Sequence, residues 1–567
     1  MSVLTALPPA VAFFAVALLV AVLPRRLGHA LGAIGLLATV GWTSVLPLGP
    51  ALPATLLGFD AVLLDVTPVA RLLGMALGVV GAAALGYSYA SGANTRQSAL
   101  AVAYLGAGAG AAFAGDWLTL ILCWELMALF ATVLIWHHSS DRAAGFRYGL
   151  YHELGGLALI AGVLLHYAQA GTFVYGDGIT GGLPALLVAL GVGLNVGFVG
   201  MHVWLVDAYP KAHVATSVVL AAVTTKVGAV TLVRAFPTGR PALVYVGVAM
   251  VLVGVTFAVL QTDMRRLLSY HIVSQVGYVV VGFGLGSAFA TAAGVAHLVN
   301  NVLYKSLLFM VAGVLVQRTG TENLKKLGTD WRAMPLTAAA FAVAALSITG
   351  VPGFNGFVSK GMVLDAVQKA HLDVLWWALL AGSVGTVVSF AKFGYYAFLH
   401  GDDSAGERRD LSSAHAASMG LLAVGCLALG VMPGLLFSFL PDAAVAYAKP
   451  FAQKQFTKAG AVLLVGLVAF ALVRKPLSHV TPVPDLDVVY RRAGPHLLAV
   501  ATAGAARVDA AIHALEAAIA TGARWVVAGE QPGVERARRW MANPAAVGAS
   551  VALLALLVAV VLVATVV

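Results

Sequence analysis

The sequence predicts an all-α membrane protein that crosses the bilayer many times, and three observations predict this fold class. First, 60% of the 567 residues are hydrophobic and only 10% are charged, whereas soluble globular proteins carry about 25% charged residues. Second, apolar runs of about 20 residues, each long enough to cross a hydrocarbon core of roughly 30 Å, recur from end to end. Third, the basic residues lie in short loops between these runs. They form no single patch, so the net charge of +10 does not indicate nucleic-acid binding.

The apolar runs define about 16 candidate spans, because a helix of this length satisfies its own backbone hydrogen bonds in lipid. They cover residues 8–24, 28–47, 66–90, 97–114, 116–136, 148–168, 184–206, 214–235, 243–262, 267–286, 291–317, 335–368, 373–399, 414–439, 457–473 and 545–567. The run 335–368 is too long for one straight span and contains Gly350, Pro352, Gly353 and Gly356. Glycine and proline interrupt helices, so we expect this helix to be broken.

The loop charges predict an orientation. Basic residues follow the odd-numbered spans, namely Arg25, Arg26, Arg96, Arg142, Arg147, Lys211, Arg265, Arg266, Lys325, Lys326, Arg332, Arg408, Arg409, Arg474 and Lys475. The positive-inside rule puts that face in the cytoplasm and the N-terminus outside, in a cell inner membrane. Arg234 and Arg240, after the eighth span, are the exception.

Residues 484–540 differ from the rest of the chain. Charged positions such as Asp485, Arg491, Arg507 and Glu516 interleave there with Ala, Leu, Val and Ile. This pattern is typical of an amphipathic helix lying along a membrane face or along neighbouring spans. A solvated cytoplasmic linker is the alternative.

Ionisable residues inside apolar spans are the candidate functional residues, because a charge at mid-membrane costs a few kcal/mol. They are Glu125, His152, Glu153, Lys226, His271, His297, Lys305, Lys360 and Lys392. His297, Asn301 and Lys305 are spaced by four residues and share one helix face. Buried lysines and carboxylates can change charge near neutral pH, which suits proton transfer. Broken helices add free carbonyls near the midplane, as in transporters.

Structural explanations stay open for several of these residues. Glu125 can be an ion-pair partner, and His271 can be a hydrogen bonder between helices. Lys360 and Lys392 can extend to a membrane interface. Cys123 and Cys426 lie in apolar runs without a CxxC or His-rich context, and no haem, flavin or nucleotide motif is visible. We therefore expect no metal and no cofactor in this chain, and no catalytic or redox site.

Five segments resemble, in order, the antiporter-like subunits shared by respiratory complex I and Mrp-type Na+/H+ antiporters. They are DWLTLILCWELM, MHVWLVDAYPKAHVATSVVLAAVTTK, QTDMRRLLSYHIVSQVGY, HLVNNVLYKSLLFMVAG and PGFNGFVSKGMVL. The resemblance covers about residues 60–440, and the HIVSQVGY and DAYPKA variants are most similar to D-type Mrp subunits. The 484–567 tail resembles the lateral helix and last span of the longest complex I antiporter-like subunit in architecture only.

The resemblance implies two inverted repeats of five helices, each with one broken helix. The corresponding divisions are 1–95 for N-terminal helices, 96–240 and 241–400 for the repeats, 401–480 for C-terminal core helices, 481–544 for the lateral helix and 545–567 for the final span. It implies that Glu125 is the fifth-span carboxylate and Lys226 the central relay. His297 and Lys305 would extend the hydrophilic axis, and Lys360 would be the exit-side switch.

The sequence departs from the family at Asn195, seven residues before His202, where the family usually has a lysine paired with the fifth-span glutamate. Val206 also replaces the motif proline. His152, His202 or a partner subunit can supply the missing counter-charge. Otherwise the first repeat uses a modified proton path, binds a cation through Glu125 and Asn195, or no longer conducts and docks a partner.

The leading functional hypothesis is therefore a proton-translocating, or Na+/H+-exchanging, subunit of an Mrp-type, complex I-like or hydrogenase-like membrane assembly. Electron chemistry would belong to partner subunits. The alternatives are a channel-inactive scaffold that docks a redox or transport module, and a stand-alone secondary transporter.

Overall fold

The computed structural model describes residues 7–479 except 139–140, 328, 401–409 and 447, together with scattered helical positions between 492 and 517. The helices up to the middle of the chain are α1 (Pro9–Val22), α2 (Arg25–Val45), α3 (Pro68–Ala90), α4 (Thr95–Phe113), α5 (Trp117–His138), α6 (Arg142–Ala170), α7 (Leu183–Val196), α8 (Val203–Lys211), α9 (Val214–Leu220) and α10 (Thr224–Ala235). They are followed by α11 (Pro241–Leu260), α12 (Met264–Leu285), α13 (Ala288–Thr319), α14 (Pro335–Thr349), α15 (Asn355–Lys369), α16 (Asp373–Gly394), α17 (Ser413–Val431), α18 (Gly434–Phe437), α19 (Asp442–Val445) and α20 (Gln453–His479). A 3-10 turn covers Leu324–Lys326, and a π-helical turn covers Tyr395–Leu399.

The protein is a multi-pass membrane protein, as the composition predicts. Within the described residues, 11 helices are long and apolar enough to cross a bilayer, and α1, α7 and α14 are shorter apolar helices. The predicted lateral helix (481–544) and final span (545–567) fall almost entirely outside the described residues. Between 492 and 517 the described positions are helical, and His513 lies 3.1 Å from Glu516 one turn away.

Three predicted spans consist of two helices each in the structure. The predicted interruption in 335–368 is confirmed, since α14 ends at Thr349 and α15 begins at Asn355. The prediction of one continuous span over 184–206 is wrong, because α7 and α8 are separated at 197–202. Residues 214–235 are long and apolar enough for one span, as predicted, but their helix is interrupted at 221–223, between α9 and α10. The second of these breaks is Ala-Ala-Val, which contains neither glycine nor proline. Local propensity therefore gave no signal for it.

Two glycines explain the break between α14 and α15. Gly350 ends α14 in the left-handed conformation, with φ of 81°, which L side chains rarely adopt. Gly356 lies so close to the carbonyl of Ser347 that a Cβ there would overlap it. Glycine at both positions lets the two half-helices meet end to end.

A β-hairpin that the all-α prediction missed covers residues 49–66. Strands β1 (Gly49–Leu56) and β2 (Phe59–Val66) pair antiparallel, with Leu56 opposite Phe59. Leu57 and Gly58 both have positive φ, as a two-residue hairpin turn requires. Pro50 and Pro53 in β1 hide this strand from sequence patterns, because proline is tolerated mainly at sheet edges.

The hairpin is tied to the ends of two membrane helices. The backbone N–H of Val62 donates to Asp116 at the start of α5 at 2.8 Å. Asp65 in β2 forms an ion pair with Arg234, in the last turn of α10, and accepts a hydrogen bond from its guanidinium. Arg234 also lies 4.8 Å from the ring of Tyr175. This pairing explains why Arg234 tolerates a position that is exceptional under the loop-charge rule.

The core lies along α12 and α13, which are almost completely buried, whereas α20 exposes most of its surface. Arg265 in the first turn of α12 is itself buried. Its guanidinium donates to the carbonyl of Tyr209 at 2.9 Å, contacts Ser217 and pairs with Glu322 at 2.9 Å. Arg265 therefore ties the loop between α8 and α9 to the core helices.

Candidate functional site

Lys226 is buried beside the break between α9 and α10. Its side chain is 1% exposed. The Nζ atom donates to the carbonyl of Ala221 at 2.7 Å and to Thr225 Oγ1 at 3.2 Å. Ala221 follows the last residue of α9, where carbonyls have no partner within the helix. The break thus supplies the acceptor that lets a lysine sit inside the bilayer.

Lys360 repeats this arrangement at the break between α14 and α15. Its Nζ donates to the carbonyl of Ile348, at the end of α14, at 2.7 Å. The same atom lies 5.2 Å from the ring centre of Tyr278. The carbonyl end of a helix and the face of an aromatic ring both attract a cation.

Lys305 lies on α13, and its ammonium group has the weakest hydrogen bonding of the three lysines. It is fully buried, and its one described hydrogen bond, to the carbonyl of Leu268, is long at 3.4 Å. The charges of Lys226 and Lys360 both act on it. In the described part of the chain, no carboxylate lies within ion-pair distance of Lys226, Lys305 or Lys360.

Polar side chains of α13 join α15. His297 Nδ1 lies 3.0 Å from Ser359 Oγ, next to Lys360 in sequence. Asn300 donates to the carbonyl of Asn355 at 2.8 Å. Towards α10, Asn301 and Lys226 border one narrow cavity that has no space for a water molecule in this structure. The spacing of His297, Asn301 and Lys305 on one helix face therefore connects the surroundings of Lys226 to those of Lys360.

Many buried polar atoms along these helices have no hydrogen-bond partner among the residues that the structure describes. They include both ring nitrogens of His271, His297 Nε2, Asn301 Oδ1, Gln275 Nε2, Ser274 Oγ, Ser306 Oγ and Asn355 Oδ1. Each unsatisfied buried group costs about 1–3 kcal/mol. Such a row of unsatisfied groups is suited to binding water, which needs two to four polar partners.

His271 and Lys392 lie at the edge of this group. His271 is fully buried on α12 with its ring 4.8 Å from that of Phe390. Lys392 on α16 donates to the carbonyls of Val259 and Gln261 at the end of α11. A lysine at a helix C-terminus has a stabilising role by itself, because it complements the helix dipole.

Asn195 on α7 is paired with His152 on α6. His152 Nδ1 and Asn195 Oδ1 are 2.8 Å apart, and both side chains are buried. The His152 ring lies 4.1 Å from Tyr148 and 4.5 Å from Trp204, centre to centre. His202, just before α8, is buried with its ring 6.1 Å from Tyr270. The first half of the molecule thus holds a neutral amide and an imidazole where the resemblance leads us to expect a lysine.

Glu125 and Glu153 lie apart from the buried lysines. Glu125 is half-buried on α5 and lies directly against Gly156 of α6, whereas Glu153 is exposed. The two carboxylates repel each other. The surrounding side chains on this face are exposed and apolar, namely Leu122, Leu126, Leu129, Leu150, Leu154 and Leu157. Within the described residues, no ion pair supports the interpretation of Glu125 as a structural ion-pair partner.

A polar cluster beside Lys360 was missed by sequence reasoning. Asp365 on α15 is buried and accepts hydrogen bonds from Gln455 at 2.5 Å and Lys458 at 2.7 Å, both on α20. Lys454 lies 3.3 Å from the same carboxylate. Sequence patterns did not single out Asp365, Lys454 or Lys458, because Asp365 is 93 residues from Lys458 along the chain. Their contact depends on the packing of α20 against α15.

The family model and the relatives that match this chain all concern antiporter or complex I membrane subunits. The profile of the family described as NADH:quinone oxidoreductase/Mrp antiporter, TM, matches residues 114–389. A probable A/B-type K(+)/H(+) antiporter subunit of Rhizobium meliloti is 30% identical over 370 residues, 60% of this chain and 36% of the relative. The D-type Na(+)/H(+) antiporter subunit of Alkalihalophilus pseudofirmus is 30% identical over 311 residues, 51% of this chain and 63% of the relative. The chain thus spans about a third of the Rhizobium meliloti relative and less than two thirds of the Alkalihalophilus pseudofirmus relative.

A chain in the structure of the Mrp complex from Dietzia sp. has the same fold. The TM-score is 0.76 at 24% sequence identity, over 92% of this chain and 63% of that chain. At this identity the likeness concerns the fold alone.

Proposed function

We propose that the chain is one of the antiporter-like membrane subunits shared by Mrp-type antiporters and complex I, and that it is the proton-translocating subunit of a multisubunit cell-membrane complex. The observation that carries this proposal is the set of three buried lysines without carboxylate partners in the described chain. A buried unpaired charge is costly and persists in membranes mainly for function. Three such lysines are better explained by transport than by folding.

The proposed path runs from Lys226 past Asn301 and Lys305 to His297 and Lys360. Like charges disfavour each other, so a proton on one lysine favours deprotonation of the next. The charges of Lys226 and Lys360 both act on Lys305, which suits sequential occupation. The narrow cavity between Lys226 and Asn301 would have to widen and admit water for a proton to pass.

Protons are favoured over Na+ on this path. A sodium ion needs several oxygen ligands, and three lysines around the path would repel it. Lysine itself accepts and donates a proton, so the same residues that exclude a metal cation can carry H+. The alternative cation site at Glu125 and Asn195 is weakened, because the Asn195 oxygen is bonded to His152.

Glu125 and Glu153 are proposed to meet a partner subunit. Two carboxylates on an exposed apolar face of α5 and α6 are costly against lipid, and a neighbouring membrane subunit would cover them. Partners would be the other membrane subunits of an Mrp-type or complex I-like assembly. They would supply any redox chemistry. The N-terminus is proposed to lie outside and the lateral helix on the cytoplasmic face.

A scaffold role is the second candidate, and the pairing of His152 with Asn195, an amide in place of the expected lysine, favours it for the first half of the molecule. The test is proton uptake into inverted membrane vesicles that contain the whole complex. Lys226→Ala and Lys360→Ala should each abolish uptake, whereas Lys449→Ala, at an exposed loop position, should not. Uptake at the wild-type rate in both variants would establish the scaffold instead. Activity of the purified single chain in liposomes would point to a stand-alone transporter.

A further inference from the structure

A small cavity opens beside Lys360, between α15, α16 and α20, and its mainly apolar lining includes several polar side chains. It has a volume of about 40 Å³ and is lined by Lys360, Thr349, Ser383, Gln455, Lys458 and Ala459 among others. One water molecule needs roughly 10–15 Å³ of such space, so two or three fit. Ser383 is also hydrogen-bonded to Tyr278, whose ring Lys360 faces. Lys360 therefore already has room for water beside it.

The far side of this cavity is closed by charges that the path from Lys226 to Lys360 does not use. Lys458 lines the cavity and is held at 2.7 Å by Asp365, one turn beyond Lys360 on α15. Gln455 lies on the bare backbone of Gly361 and donates to the same carboxylate. Lys454, which is more than half exposed, reaches the carboxylate from outside at 3.3 Å. The cluster thus extends from the cavity wall to the protein surface.

We propose that this cavity is the aqueous exit of Lys360, and that Asp365 with Lys458 and Gln455 is its gate. The inference rests on the proposed function and deepens it. A proton leaves the Lys360 ammonium for a cavity water, which leaves a neutral amine, and passes along water to the face where α15 ends. Asp365 is a positioning residue here. Its carboxylate neutralises the positive charge of Lys458, which would otherwise repel the leaving proton.

The charge balance gives a distinctive pattern among variants. Asp365→Asn leaves Lys458 and Lys454 uncompensated beside the exit, and a charge a few ångströms away slows proton release by about tenfold. Removing the excess charge in Asp365→Asn/Lys458→Met should restore transport to within about threefold of wild type. A merely structural role predicts that the double variant is no better than the single one. Asp373→Asn, an exposed carboxylate in the first turn of α16, is the matched control and should transport normally.

Thiol labelling tests the cavity without depending on transport. In the full chain with Cys123→Ala and Cys426→Ala, Ala459→Cys or Val462→Cys lines the cavity, whereas Leu464→Cys lies on the exposed apolar side of α20. A membrane-impermeant methanethiosulfonate reacts with the thiolate, which requires water. We expect labelling of the two cavity positions from one membrane face only, and none at 464.

The outcomes separate this inference from the proposed function. Unlabelled cavity cysteines together with loss of transport in Lys360→Ala would overturn the exit and keep the proposed function. Labelled cavity cysteines with wild-type transport in Lys360→Ala would overturn both. Equal labelling at 459 and 464, or a double variant as slow as Asp365→Asn, would also overturn the gate.

Discussion

The two halves of the molecule treat buried charge differently. Around α12–α15, Lys305 and Lys360 are buried with His297 and three asparagines that have unsatisfied side-chain oxygens, and a cavity large enough for water lies beside Lys360. Among the described residues of α5–α10, Lys226 is the one buried lysine, while Asn195 is hydrogen-bonded to His152 and Glu125 is half-buried against α6. Both halves nevertheless place one lysine on the free carbonyls of a helix break. The two halves thus share a lysine bound at a helix break, and they differ in the charged residues around it.

The largest effect is expected from Lys305→Met, which would break the second half. Methionine keeps the length and packing of the side chain, and replacing a buried charge by an apolar group is often neutral for folding. Transport should fall at least about a hundredfold, equivalent to roughly 2.7 kcal/mol of barrier. Proton uptake in vesicles measures this. Lys326→Met, at an exposed position outside the spans, is the control and should match wild type. An active Lys305→Met variant would show that Lys226 and Lys360 communicate without Lys305.

Asn195→Lys would make the first half resemble the second. A new cation next to His152 in a fully buried site changes the protonation of the groups around it. We therefore expect the rate of proton uptake to change about tenfold and its pH profile to shift. Asn195→Leu is the control, because it has a similar shape and no charge. A pH profile identical to wild type in Asn195→Lys would exclude conduction through this half.

His152→Gln sharpens the same comparison with a smaller effect. Glutamine can keep a hydrogen bond to Asn195 but cannot carry a proton. If His152 replaces the missing lysine, transport should fall by about three- to tenfold with thermal stability retained, since a neutral hydrogen bond contributes about 1 kcal/mol. His166→Gln, near the end of α6, is a control with the same exchange. A loss of stability without a loss of transport would make His152 structural.

The smallest effect on transport is expected from Asp65→Asn, outside both paths. The change leaves the Arg234 guanidinium without its carboxylate, and each side chain of the pair is mostly buried. Because some solvent still screens the pair, the loss of stability should be about 2 kcal/mol. Denaturant unfolding of the detergent-solubilised chain measures it. Asp60→Asn, an exposed carboxylate of the same hairpin, should change neither stability nor transport.

The sequence by itself determined the membrane fold and most of the residues with unusual charge. Composition and apolar run length require spanning helices, and a lysine in an apolar run is conspicuous wherever it occurs. Gly350 and Gly356 predicted the break between α14 and α15, because the effect of glycine on a helix is local and can be seen in the sequence. The row of His297, Asn301 and Lys305 followed from helix periodicity alone.

Only the tertiary structure decided which of these residues share a site. The break at 221–223 has no local signal, and its carbonyl is used by a lysine that follows it. The outward position of Glu125 and the pairing of His152 with Asn195 depend on how α5, α6 and α7 are rotated against one another. Asp365 and Lys458 are 93 residues apart, and only the packing of α20 on α15 brings them together. Periodicity fixes the face of a helix, but the neighbour that the face meets is set by packing.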